Sequence, residues 1–246
     1  SMYHFFVDEN QIEKDRAYII GSDVNHIVNV LRMKVGEELL ISVKGDWDYL
    51  CRIVDIEPDR VSLFIVESME SKELPVKIIL LQAIPKFDKL ELIIQKAVEL
   101  GVSEIIPVMT KRVVVKLEEK KIKTKVDRWN AIANSAAKQS KRSIIPRVCE
   151  PQTLKQSLYT VKDCGVKLIP YENVDGIQKT RQILDALNGK DDIAVFIGPE
   201  GGFEENEVFE ALNSGFEAIT LGKRILRTET AGLALLSNIM FRLEDE

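Results

Sequence analysis

The sequence predicts an α/β chain in two parts: a smaller N-terminal β-barrel, then a larger domain whose mainly parallel sheet is covered by helices on both faces. Three observations predict it. Up to about residue 73, apolar residues fall in short strand-length runs divided by turn residues. From Val76 onward, apolar strands alternate with amphipathic helices. Two late bends, Gly198-Pro-Glu-Gly-Gly-Phe203 and Leu221-Gly-Lys-Arg-Ile-Leu-Arg227, each follow a strand and enter a helix. The domains are placed at 1–72 and 73–246, with a charged linker near Ser68 to Leu74.

Each element has a local cause. Asp23 to Leu31 reads as a helical segment. Leu39 to Val43, Tyr49 to Val54 and Arg60 to Val66 read as strands, separated by the turn residues Lys44-Gly-Asp46 and Glu57-Pro-Asp59. Lys77 to Ala83 is an apolar strand. Leu90, Ile93, Ile94, Ala97 and Val98 share one helix face, and Gly101 stops that helix. Ile105 to Met109 is a strand and Asp127 to Ser140 a helix. Lys167 to Tyr171, Ile193 to Ile197 and Ala218 to Leu221 are strands, with helices at Thr180 to Leu187 and Glu204 to Leu212. Thr228 to about Arg242 is a terminal helix, apolar nearly all round, and therefore buried on more than one side, by the core or by a second subunit.

Composition narrows the function. With 246 residues, 45% hydrophobic and 30% charged, the chain is globular with a sizeable core. A net charge of −5 argues against a protein that is basic all over but leaves room for a local basic face. No apolar run approaches the ~20 residues of a membrane span. The start, Tyr3-His-Phe-Phe6, lacks the pattern of a secretory signal, so a cytoplasmic location and no membrane partner are expected. Cys51, Cys149 and Cys164 are widely spaced and only His4 and His26 are present, which suits reduced thiols and no metal site.

The glycine bend lacks the Lys-Ser/Thr of a P-loop, and Glu204, Glu205 and Glu207 make the following helix start a poor phosphate site. A ligand with a positive or neutral head fits better; the plain alternative is a tight strand-to-helix turn. In the second bend, Thr228 reads as an N-cap with Glu229 in the first turn, and Arg224 and Arg227 as basic groups on a pocket wall. Between Lys111 and Arg147, twelve basic residues face three acidic ones, Glu118, Glu119 and Asp127. That segregation within an acidic chain fits a nucleic-acid contact, although a charge run is also how a solvated face looks. Lys120 to Lys125 reads as a loop that orders on binding. Arg32 and Lys34, beside the Gly36 turn, are further phosphate candidates, and His26 is either structural or part of that face.

Together, His26…Val30-Leu-Arg-Met-Lys-Val-Gly36, Lys86…Lys96-Ala-Val-Glu-Leu-Gly-Val102, Gln139-Ser-Lys-Arg142…Pro146, Gly198-Pro-Glu-Gly-Gly-Phe203 and Leu221-Gly…Ile225-Leu-Arg-Thr-Glu-Thr-Ala231 resemble the bacterial 16S ribosomal RNA uridine-N3 methyltransferases, within the knotted SPOUT methyltransferases. The resemblance spans essentially the whole chain. It implies a PUA-like barrel, a SPOUT-type α/β domain with a trefoil knot that periodicity does not reveal, a homodimer, and S-adenosylmethionine held by the knot loops. It implies that Ile197, Gly198, Pro199, Glu200 and Gly201 form one wall, and Leu221, Gly222, Ile225, Leu226, Arg227, Thr230 and Ala231 the other, with Pro170, Tyr171 and Glu172 on the ribose side. One departure is Glu204, where the family often has a capping Ser.

By the same resemblance the partner is 16S rRNA or the assembled small ribosomal subunit, with His26, Arg32, Lys34, Lys86, Lys111 and Arg142 facing RNA. Uracil N3 is a poor nucleophile until its proton leaves. Arg227 is the candidate cation for the resulting anion, and Glu229 or hydroxide the candidate proton acceptor. Rival readings are a methyltransferase acting on another rRNA or tRNA base, a non-catalytic RNA-binding assembly protein, and an α/β enzyme using a nucleotide phosphate.

Overall fold

The computed structural model describes residues 2–43, 47–113, 117–172 and 176–244; the turn expected at Lys44-Gly-Asp46 and the basic residue Lys116 lie outside them. The chain divides into two compact units, Ser1–Glu73 with Ala137–Ile145, and Leu74–Ala136 with Pro146–Glu246. Residues 137–145, expected in the larger domain, thus cluster with the smaller unit.

In the first unit, β1 (His4–Val7), β2 (Ile12–Glu13), β3 (Arg16–Ile20), β4 (Glu38–Val43), β5 (Trp47–Ile56) and β6 (Arg60–Glu70) form a sheet in the order β1-β4-β5-β6-β3-β2. The β1–β4 pairing is parallel and the others antiparallel. Alternate residues point inward. Phe5 and Val7 of β1 share one apolar core with Ala17 and Ile19 of β3, strands well separated in the sheet order, so the sheet must curl round that core. Register shifts at Leu50/Cys51 and Ile53/Asp55 supply bends for the curl. The helix expected at Asp23 to Leu31 is instead a short α1 (Ser22–Asn25) followed by one π-helical turn, His26–Val30. Strand β6 runs on to Glu70 and takes up part of the expected linker.

A buried polar chain pins residues 137–145 into this unit. His4 Nε2 and Ser42 Oγ are 2.6 Å apart, and the Ser42 hydroxyl donates to Asp48. The Ser143 hydroxyl donates to the same carboxylate at 2.7 Å, and the Lys72 ammonium lies 3.1 Å from it. Beside them Arg142, 5% exposed, donates to Glu73 through two nitrogens. Since Ser42 gives its proton to Asp48, His4 Nε2 carries the hydrogen that Ser42 accepts.

In the second unit, β7 (Ile78–Ala83), β8 (Glu104–Met109), β10 (Gln152–Thr153), β11 (Val166–Pro170), β12 (Ile193–Ile197) and β13 (Glu217–Ile219) build a sheet in the order β10-β8-β7-β12-β11-β13, and β9 (Arg147–Val148) pairs with β8. Every described pairing is parallel, as predicted. One sheet face, with Leu81, Ile106, Ile169 and Phe196, shares a core with Leu158 of α4 (Leu154–Thr160) and Val208 and Ala211 of α6 (Glu205–Asn213). On the other face α7 (Thr228–Leu243) brings Gly232 against Ile197 and Gln82. It packs there beside α2 (Phe87–Glu99) and α5 (Ile177–Asp185).

Helix α3 (Glu119–Gln139) starts well before the expected Asp127, so Lys120 to Lys125 is helical and not the loop the sequence suggested. Local charge chemistry explains the extension. Lys121 pairs with Glu118 at 3.3 Å, and the Lys125 ammonium sits 4.4 Å over the Phe87 ring. Burial pushes the thiols of Cys51 and Cys149 up to about 12 and that of Cys164 up to about 11, so none is a thiolate at neutral pH.

Burial holds the His4 imidazole down at about 4, outweighing the opposite pull of Asp48. Between pH 6.5 and about 4 the unfolded chain therefore binds a proton that the native chain does not, and stability falls as pH falls through that window. The urea midpoint is expected to drop between pH 7 and pH 5, and to drop less in a His4→Gln variant.

Candidate functional site

The site lies where three neighbouring parallel strands, β12, β11 and β13, end at their carboxyl edge, the place where open α/β sheets bind ligands. After β12 the chain turns through Gly198–Phe203. Gly202 adopts φ +76°, and a Cβ on Gly201 would meet Arg112 Cβ at 3.3 Å, so both positions favour glycine. After β13 it turns through 220–227. There Gly222 adopts φ +121° and donates its N–H to Thr220 Oγ1 at 3.1 Å.

The two bends are tied together by one buried side chain. Thr228 Oγ1 donates to the Gly198 carbonyl at 2.6 Å and accepts from Gln82 Nε2 at 2.9 Å. The sequence reading made Thr228 an N-cap. The structure puts Arg227 at the cap position and Thr228 inside the helix, with its hydroxyl spent on the opposite bend. At α6 the capping doubt over Glu204 resolves differently: the Glu207 carboxylate accepts the Glu204 N–H at 2.9 Å and the Lys111 N–H at 3.1 Å.

The bends enclose a cavity of about 620 Å³. Of the expected ligand-binding residues, Pro170, Tyr171, Glu172, Ile197, Gly198, Pro199, Glu200, Gly201, Leu221, Gly222, Ile225, Leu226, Arg227 and Ala231 line it. Thr230 and Glu229 do not. Thr230 is exposed, and Glu229 faces the Lys89 ammonium at 3.8 Å, with one carboxylate oxygen buried and without a hydrogen bond. Arg224, read from the sequence as a basic group on a pocket wall, lines it too, and so do Lys89, Arg112, Phe203, Thr220 and Lys223, which were not among the expected contacts. Lys89 was legible only as a polar position on α2; the fold brings it between Glu200 and Glu229, at 3.8 Å from each.

The residues expected to face RNA fare unevenly. His26, Arg32 and Lys34 are exposed on the first unit, Arg32 with φ +55°. Lys86 is exposed, and its N–H donates to Glu200 at 2.9 Å. Lys111 pairs with Glu204 at 3.3 Å. Arg142 is corrected: it is buried against Glu73 and presents no charge to a phosphate. Arg128 is also engaged by a carboxylate, that of Glu91.

The glycine bend suits a nucleoside carrying a sulfonium and not one carrying phosphates. Apolar walls from Ile197, Leu221, Leu226 and Ala231 flank backbone-lined bends, and the helix start beyond the first bend is acidic. Among the described residues, no group of three or more His, Cys, Asp or Glu is placed to hold a metal, and no helix is long and apolar enough to cross a membrane.

A family model described as an RNA methyltransferase domain matches residues 72–240, and one described as an RNA methyltransferase PUA domain matches residues 19–66. Fold and site thus define a SPOUT-type, S-adenosylmethionine-dependent RNA methyltransferase carrying a PUA-like domain. The chain is 37% identical to a ribosomal RNA small subunit methyltransferase E of Bacillus subtilis, with 99% of this chain and 98% of the relative covered. It is 38% identical to the Mesomycoplasma hyopneumoniae protein of that name, with 96% and 98% covered. The crystal structure of the Neisseria gonorrhoeae protein of that name, bound to S-adenosyl methionine, matches with a TM-score of 0.80 at 31% identity over 98% of each chain. This chain belongs to the ribosomal RNA small subunit methyltransferase E family.

Thr228→Val keeps the shape but takes the donor from the Gly198 carbonyl and one of two acceptors from the Gln82 amide, which keeps its bond to the Ala83 carbonyl. We expect a loss of about 1–3 kcal/mol in denaturant-derived stability together with weaker S-adenosylmethionine binding by calorimetry. Gly222→Ala forces a side chain into the left-handed region. A loss of about 1–2 kcal/mol is expected, read as a lower melting temperature than wild type.

Proposed function

We propose that this protein methylates N3 of a uridine in 16S rRNA, working as a cytoplasmic homodimer built through its α/β domains. The observation that carries the reading is the joining of the Gly198–Phe203 and 220–227 bends around one cavity. The knot fits the same arrangement: β12 lies between β7 and β11, and α7 is stitched back to both the first bend and β7. A second subunit would account for Phe241 of α7, a large apolar side chain left 79% exposed on a helix whose other face is buried.

Gly198, Pro199, Gly201, Leu221, Gly222, Leu226 and Ala231 would hold S-adenosylmethionine, which supplies an already activated methyl group. The chain's own task is then to orient the acceptor nitrogen and favour its anion. Arg227 lines the cavity, and its guanidinium is the group we assign to the negative charge that spreads over the uracil oxygens when N3 loses its proton. Glu229 is turned to Lys89 and away from the lining, so the proton passes to solvent hydroxide. His26, Arg32, Lys34 and Lys86 are assigned to the RNA, because they are exposed.

Nucleoside mass spectrometry of 16S rRNA from cells lacking the gene tests base and position together. Loss of 3-methyluridine, restored by the wild-type gene, is expected; an unchanged modification pattern overturns the reading. Arg227→Ala is expected to lower turnover at least ~100-fold with the fold and S-adenosylmethionine affinity retained, measured by single-turnover methylation and calorimetry.

A further inference from the structure

Five cations line the cavity, and the structure divides them by what holds them. Lys89 stands between Glu200 and Glu229. Arg112 donates to the Gly201 carbonyl at 3.1 Å. Arg227 occupies the cap position of α7 with its backbone alone; its exposed side chain makes no cap hydrogen bond and is the group already assigned to the uracil anion. Lys223 and Arg224 are exposed, and among the described residues neither has an ion pair or a side-chain hydrogen bond. The bend that carries them is anchored at both ends, by the Thr220–Gly222 turn on one side and by Thr228 on the other.

Two adjacent cations without a carboxylate, at the mouth of a cavity otherwise balanced by Glu172, Glu200 and Glu205, need an anionic partner. The methyl donor does not supply one. Its sulfonium and ammonium outweigh its single carboxylate, so it carries net positive charge. A phosphodiester strand does supply one, at every nucleotide. We propose that Lys223 and Arg224 seat the RNA backbone phosphates flanking the nucleotide presented to this cavity. They thereby do the work the sequence had assigned to Lys111 and Arg142, whose charges are neutralised by Glu204 and Glu73. The inference rests on the RNA methyltransferase reading and names the strand contact within it.

The test compares the full-length wild type with K223Q/R224Q and with the charge-keeping K223R/R224K. Affinity for a fluorescent oligouridylate is measured across a KCl series, and affinity for S-adenosylmethionine by calorimetry. Losing two phosphate contacts from a single strand should make the log–log salt slope of K223Q/R224Q less negative by about 1.4, from ~0.7 per contact. K223R/R224K should keep the wild-type slope, and all three proteins should bind S-adenosylmethionine alike. An unchanged slope in K223Q/R224Q overturns the proposal. So does a loss of S-adenosylmethionine affinity, which would place both residues on the cofactor wall. A wild type with the expected slope that transfers no methyl group sinks the methyltransferase reading and leaves the strand contact standing.

Discussion

The hydroxyl of Thr228 is the smallest group on which the site depends. It accepts from Gln82 at the end of β7 and donates to the Gly198 carbonyl beyond β12, so one oxygen joins the start of α7 to two strand ends far away in sequence. Without it, a glycine-rich turn and a basic turn would be independent loops on one sheet edge. Buried as it is, the oxygen has no water to fall back on, so the link is held by the cost of leaving the Thr228 hydroxyl and the Gly198 carbonyl unpaired. The glycines can then serve the ligand instead of the fold: they let main chain line the cavity because the geometry is enforced elsewhere.

Charge around the strand ends follows the same division between holding and recognising. Carboxylates of the first bend and α6 hold the main chain in place: Glu200 accepts the Lys86 N–H, and Glu207 accepts those of Lys111 and Glu204. Their presence at the helix start is why nucleotide phosphates are a poor fit there. Cations of the second bend are left facing outward. On our proposal both bends enclose the positively charged donor, and the outward cations of the second bend meet the negatively charged strand.

Much of this was legible in the sequence. The strand Ile193–Ile197 has the predicted bounds, because a fully apolar run between turn residues has one reading in a parallel sheet. The face of α2 was set by the spacing of Leu90 to Val98. What failed were the readings that depended on distant partners. Arg142 looked like a phosphate ligand until Glu73, far back in the chain, was found against it. Thr228 looked like a cap because its neighbours suit one; its true partner precedes it by a strand and a helix. The start of α3 was hidden by polar composition, since an ion pair and an ammonium over a ring leave no apolar period to read. Strand β1 was missed because four residues are too short a window for alternation.

The Ser143–Asp48 hydrogen bond has a bearing on biosynthesis. The β-rich unit is discontinuous in sequence, so its interior carboxylate at position 48 lacks one of its partners until position 143 has left the ribosome. At ~5–20 residues per second that is a delay on the order of 5–20 seconds, during which six strands can associate but the polar interior cannot close. Completion of the N-terminal unit is therefore tied to translation of the helix α3 region, so that unit cannot close until a first stretch of the α/β unit has been made.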